Sequence, residues 1–301
     1  MASIAAPTPD HHSGKDSHRL RKFGGLLVLL PAPLGWLIFF YLIPLLVLLI
    51  HAFWSVDYLT IHRTFTLENF RTLFTNELYP RVLIRTVTIA ALVTIADLIL
   101  AFPIAYFLAK RVKRHRELLL LLVVFPLWSS YLVRVFAWKT ILGTNGILNS
   151  FLLNVGLVDQ PVTAFLYSKT AMFLTFCQVW LPFMILPLFT VLDRMPNSLL
   201  EAASDLGSSW WQTLRRVVVP MALPGILAGS LSVFSLTLGD FITPTLLGGP
   251  GDQMIGRLVA DNFGMSNNWP LGATLIIPIL LLISVFIIIA SRFGALGRTG
   301  E

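Results

Sequence analysis

The sequence predicts an all-α, polytopic membrane protein built as a bundle of six transmembrane helices. Of its 301 residues, 56% are hydrophobic and 12% charged, whereas soluble domains are about one quarter charged. The mean hydropathy is +0.78. Six stretches reach the roughly 20 apolar residues needed to cross a hydrocarbon core: about 26–53, 83–109, 118–138, 170–192, 220–243 and 271–291.

Residues 1–25 are polar, with His11-His12, Lys15, Arg19, Arg21 and Lys22, and read as a flexible tail. The apolar stretch behind them outruns a signal-peptide core, so it is expected to stay as the first span. The second span, 83–109, carries Asp97 near its middle. There Ala90, Thr94, Asp97, Ala101 and Ala105 recur at helical spacing and draw one narrow stripe of small or polar groups. An exposed carboxylate at that depth costs on the order of 3 kcal/mol, which turns the stripe inward. The third span, 118–138, follows a basic loop of Lys110, Arg111, Lys113, Arg114 and Arg116. The fourth, 170–192, holds Cys177, the single cysteine, which reads as an inert buried thiol. Loop 193–219 leads to the fifth span, 220–243, with Asp240 toward its outer end, and the sixth, 271–291, precedes a tail at 292–301. Connections 54–80, 139–169 and 244–270 are long for plain turns and are expected to contain short helices.

Charge sets the orientation. The first tail, the loop after the second span, Arg194, Arg215 and Arg216 after the fourth, and Arg292 and Arg298 together hold fourteen of the 22 Lys and Arg residues. Basic residues remain preferentially cytoplasmic in short loops, so both termini are expected on the cytoplasmic side of a bacterial inner membrane. Dispersed in this way, they make no nucleic-acid-binding face.

Catalysis and cofactor binding have little to build on. The histidines lack ligand spacing, so no metal site is expected. Gly14-Lys15 is followed by Asp16 and opens no helix, which leaves out a phosphate-cradling loop. The spans hold no nucleophile, base and oxyanion donors that would converge as in a membrane enzyme. Two sequence-related halves with broken helices, as in many ion-coupled carriers, are also not found. The chain therefore reads as a non-enzyme with no catalytic residues.

Loop 193–219 is the informative segment. Ser198-Leu199-Leu200-Glu201 fits a capping box and starts a helix of about nine residues. Gly207 can end that helix in the left-handed conformation, and Ser209-Trp210-Trp211-Gln212 repeats the box at once. A short amphipathic helix at the bilayer surface would have the same pattern. The run Glu201-Ala202-Ala203, with Asp205, Leu206, Gly207 and Ser208 after it and Pro220 at the next span, resembles the cytoplasmic coupling motif of bacterial ABC importer permeases.

The resemblance extends over nearly the whole chain. Pro126-Leu127-Trp128-Ser129-Ser130-Tyr131 through Trp138, Leu238-Gly239-Asp240-Phe241-Ile242-Thr243-Pro244 and Asn268-Trp269-Pro270-Leu271-Gly272-Ala273 are similar to segments of spermidine/putrescine permeases. It implies a type I importer permease fold and a loop docked on a dimer of ATPase subunits, which would hold the ATP and magnesium. A second, homologous permease and a solute-binding protein complete the implied assembly. Glu201 then caps and docks. Importers of opines, amino-polyols and other small solutes share much of the pattern, so the solute stays open. Asp97 and Asp240 are candidates to match a cationic solute shedding its water, with Trp128 and Tyr131 as aromatic walls. A structural partner role for each acid and a membrane-interface role for the aromatics stand beside that reading.

Overall fold

The computed structural model describes residues 31–57 and 60–296. The expected N-terminal tail, 1–25, and the last five residues lie outside them. The chain divides into two units, Met1–His51 and Ala52–Glu301. In the first, α1 (Pro31–His51) is a 21-residue helix with a π turn at Ile38–Leu42 and no buried residue.

The second unit opens on a hairpin that the sequence did not signal, β1 (Ser55–Asp57) against β2 (Thr60–His62). The short helix α2 (Glu68–Thr75) leads into α3 (Leu78–Lys110), 33 residues long. After α4 (Arg116–Trp128) come α5 (Tyr131–Leu142) and α6 (Ile147–Asn154). Then follow α7 (Lys169–Arg194), α8 (Asn197–Asp205) and α9 (Trp210–Gly239). The chain continues through α10 (Ile242–Leu246), α11 (Ile255–Phe263) and α12 (Trp269–Leu296). Each of the long connections 54–80, 139–169 and 244–270 contains one of the short helices α2, α6 and α11, as expected.

Among the described residues, five helices are long and apolar enough to cross a membrane: α1, α3, α7, α9 and α12. The stretch expected as the third span is instead two pieces, Arg116–Trp128 and Tyr131–Asn154, bent by 88°. Pro126 removes a backbone donor, Phe125–Trp128 tightens into a 3₁₀ turn, and Ser129 and Ser130 are extended, with the Ser129 hydroxyl donating to the Pro126 carbonyl at 2.7 Å. If the two pieces count as one span, the spans number six.

The core lies where α3, α7 and α9 pack together, with α7 the most enclosed. Phe176, Met172, Met184, Ile185 and Leu188 are fully buried there. The whole stripe from Ala90 to Ala105 faces inward, as its spacing predicts. On α9, Gly229 passes so close to α7 that a Cβ would meet Met184 Sδ at 2.7 Å. Helix α12 packs on α9, α11 and α2.

Candidate functional site

The segment between α7 and α9 folds as helix, turn, helix. Helix α8 is nine residues long, as expected, but its start differs from the sequence reading. Pro196 is the N-cap residue and Ser198 lies inside the helix, so the box of Ser198 and Glu201 does not form. The reason is chemical: proline already has the extended entry conformation, and it offers no N–H for a glutamate to satisfy. The other end follows the reading. Gly207 has φ of 74°, its N–H donates to Ser204 O at 2.9 Å, and Ser208 N–H donates to Ala203 O at 3.0 Å. These two bonds make a complete left-handed helix stop.

The second box forms. Ser209 N–H donates to Gln212 Oε1 at 3.0 Å and Gln212 N–H to Ser209 Oγ at 3.4 Å. It starts α9 at Trp210, ten residues ahead of the expected span start at Pro220. A π turn at Leu214–Val218 lets the helix run on into Pro220, whose missing N–H would break a regular ladder. Hence α9 is one 30-residue helix that begins at the turn itself.

The surface this turn offers is plain from exposure. Glu201, Ala202, Asp205 and Gly207 are exposed, Ala203 and Ser208 are half-buried, and Leu206 is 88% exposed. Pro220 is exposed on the flank of α9. Beneath the turn, Lys110 Nζ at the end of α3 donates to the Met195 carbonyl, and to Asn197 Oδ1 at 3.3 Å. Arg116 pairs with Asp193 and lies 4.9 Å from the Phe189 ring. Sequence reasoning had Lys110 and Arg116 only as topology charges. Their partners are distant in sequence, and no local signal marks them.

A second cluster forms a corner at the other end of α9. Asp240 is 7% exposed. Its Oδ1 accepts from the Tyr131 hydroxyl at 2.7 Å and its Oδ2 from Thr243 N–H at 2.9 Å. Tyr131 gives its one proton to the carboxylate, so the Thr243 hydroxyl, 2.6 Å away, donates to the tyrosine oxygen. The Tyr131 ring stacks on Trp180 at 5.2 Å, and Arg134 lies 5.9 Å from its face. Gly256 closes the corner: a Cβ there would sit 2.4 Å from Asp240 O. Thr243, quoted only within a family segment, and Gly256 had no role assigned from sequence, although an Asp accepting from the N–H three residues on is a common local side-chain-to-backbone bond.

Of the four expected pathway residues, the structure joins Tyr131 and Asp240. Trp128, at the bend, is 70% exposed and edge-on to Phe125 at 5.9 Å. Asp97 is fully buried, with no hydrogen-bond partner in normal geometry for either oxygen and the Cys177 thiol as its polar neighbour.

Membrane-length helices packed around α7, with a capped helical turn ahead of α9, define a polytopic membrane protein with a built turn exposed between two spans. The pattern of one family, described as binding-protein-dependent transport system inner membrane component, matches residues 101–296. The chain belongs to that family, and it is an ABC importer permease subunit. It is 41% identical over 285 residues to the inner membrane ABC transporter permease protein YdcU of Escherichia coli K12, covering 90% of each chain. It is 37% identical over 263 residues to the spermidine/putrescine transport system permease protein PotB of Haemophilus influenzae, covering 87% of this chain and 91% of that one. Among solved structures, a bacterial ABC transporter that imports alginate has the same fold, with a TM-score of 0.68 at 18% identity over 95% of this chain and 98% of the other.

Proposed function

We propose that this subunit forms half of the translocation pathway for a small cationic solute of the polyamine class. A second permease subunit forms the other half, and a solute-binding protein delivers the cargo. Coupling to ATP rests on one observation: a nine-residue helix held out by a full glycine stop, with Leu206 almost wholly exposed, and continuous through one turn with the 30-residue α9. An apolar side chain fixed in that position suits a cleft on a partner. Hydrolysis of ATP and the magnesium it needs belong to a separate pair of ATPase subunits, and this chain supplies no catalytic group. The basic connections support an orientation with both termini and the Gly207 turn on the cytoplasmic side of the inner membrane.

The polyamine assignment is supported by the relatives named for spermidine and putrescine, and by the acid and aromatics that meet at the Asp240 corner. In the conformation described, both Asp240 oxygens are engaged within the protein. We assign the residue to holding that corner, from which a carboxylate can be uncovered when α9 moves. Asp97 is the second acid within reach of the core.

Reconstitution with candidate ATPase subunits tests both parts. ATP hydrolysis is expected to rise with polyamine-loaded binding protein, and Glu201→Lys to remove that rise while membrane insertion is unchanged. Wild-type stimulation in Glu201→Lys overturns the docking role. Stimulation by other solutes and none by polyamines overturns the substrate class alone.

A further inference from the structure

The end of α3 with Arg111 and Lys113 after it, and the inner wall of the Gly207 turn, line a cavity of about 440 Å³ whose basic side has no part in the coupling role. Lys110, Arg111 and Lys113 face it from one side, and Ser204, Ser208 and Trp210 from the other. Glu201 is its single acidic lining residue, so three cations face one carboxylate. Lys110 is held by a backbone carbonyl and an amide oxygen, both neutral, and the nearby acid, Asp193, is itself paired with Arg116. Arg111 and Lys113 take part in none of the ion pairs among the described residues. The other polar groups are serine and threonine hydroxyls, the Tyr106 hydroxyl, the Trp210 indole and the Asn197 amide, whose oxygen is taken by Lys110, all able to donate. A donor-rich cavity with excess positive charge is complementary to a phosphate.

The depth of the cavity narrows the source of that phosphate. It lies where α3 ends and α9 begins, the termini of two membrane-length helices. Trp210 lines it and Trp211 follows in the chain, both 63% exposed, and exposed tryptophans at span ends mark the headgroup layer. Basic pockets between helix ends at this level suit anionic headgroups. We propose that this cavity binds the phosphate of an anionic phospholipid, so that a lipid headgroup props the coupling turn against the end of α3. The proposal is independent of which solute is carried.

The test uses the purified importer complex, wild type and Arg111→Gln/Lys113→Gln. Both residues are exposed, so the variant is expected to fold normally. Lipid retained through purification is measured by native mass spectrometry after exchange into cardiolipin, phosphatidylglycerol or phosphatidylcholine. The wild type is expected to retain the two anionic lipids over phosphatidylcholine. The double variant should lose this by about fivefold per cation removed, and Arg81→Gln, at the far end of α3, should keep it. Three results overturn the proposal. One is equal retention of anionic and neutral lipids. Another is unchanged retention in the double variant, including the case where that variant sheds the ATPase subunit instead, which would make the cations a protein-docking surface. The third is displacement of the lipid by millimolar inorganic phosphate with no loss of turn stability, which would make free phosphate the ligand.

Discussion

Gly207 offers the sharpest test of the turn, because its backbone and its surroundings separate cleanly. Its φ is 74°, and a Cβ added there would meet nothing within 4 Å. Any cost of substitution is therefore conformational, with no clash to confuse it. A residue with a Cβ pays about 1–2 kcal/mol in the left-handed region, which lowers the population of the formed turn by about 5- to 30-fold. Asparagine enters that region readily, and a β-branched residue scarcely at all. In the reconstituted complex, polyamine-stimulated ATP hydrolysis should therefore fall in the order Gly207→Asn, Gly207→Ala, Gly207→Val, with asparagine near wild type and valine at least tenfold down. Thermal unfolding of the isolated subunit should barely change across the series, since the turn is exposed and outside the core. Equal loss in asparagine and valine, or full stimulation in valine, would refute the claim that backbone geometry at this position sets coupling.

The corner makes two predictions. Tyr131→Phe leaves Asp240 Oδ1 without its donor in a buried site and should cost about 1–3 kcal/mol, read as a lower unfolding midpoint in detergent. An unchanged midpoint would show the bond to be dispensable. Gly256→Ala places a methyl 2.4 Å from a backbone oxygen, which only separation of the two segments relieves, so a loss of similar size is expected and Ser should be no better than Ala. Asp97→Asn nearly keeps volume, removes a buried carboxylate whose one polar neighbour is the Cys177 thiol, and leaves an amide that can still meet that thiol, so stability should be at least that of the wild type while uptake of a cationic solute falls. A lower midpoint in that variant would mean that the carboxylate has a structural partner, and unchanged uptake would remove it from the pathway.

Legibility followed range. The stripe on α3, the stop at Gly207 and the box at Ser209 are set by residues within about four positions of one another, and all three could be read directly from the chain. What misled was local chemistry with two solutions. Ser198 to Glu201 has the letters of a capping box, but Pro196 already occupies the cap. Pro220 suits a helix start, yet a π turn lets it stand ten residues inside one. Trp128-Ser129-Ser130 was legible as a family segment, and its 88° bend was not, because neither serine is a helix breaker by itself. The pairs that build the sites, Tyr131 with Asp240 and Lys110 with Met195, join residues 109 and 85 positions apart, beyond any periodic signal.

The continuity of α9 through Pro220 has the largest mechanical consequence. A span beginning at Pro220 would hang from a flexible loop, and motion at Gly207 would be lost in it. A helix beginning at Trp210 is about 45 Å long at 1.5 Å per residue, with the coupling turn at one end and the Asp240 corner at the other. Tilting such a rod by about 5° moves its far end by about 4 Å, more than the 2.7 Å that separates the Tyr131 and Asp240 oxygens. A small displacement at the exposed turn is therefore enough to part that hydrogen bond and uncover a carboxylate held closed in the present conformation. Cross-linking α8 to the end of α3 through cysteines at positions 110 and 197 should then suppress uptake while leaving the Tyr131 bond intact. Uptake that survives the cross-link would rule out the rod as the path of transmission.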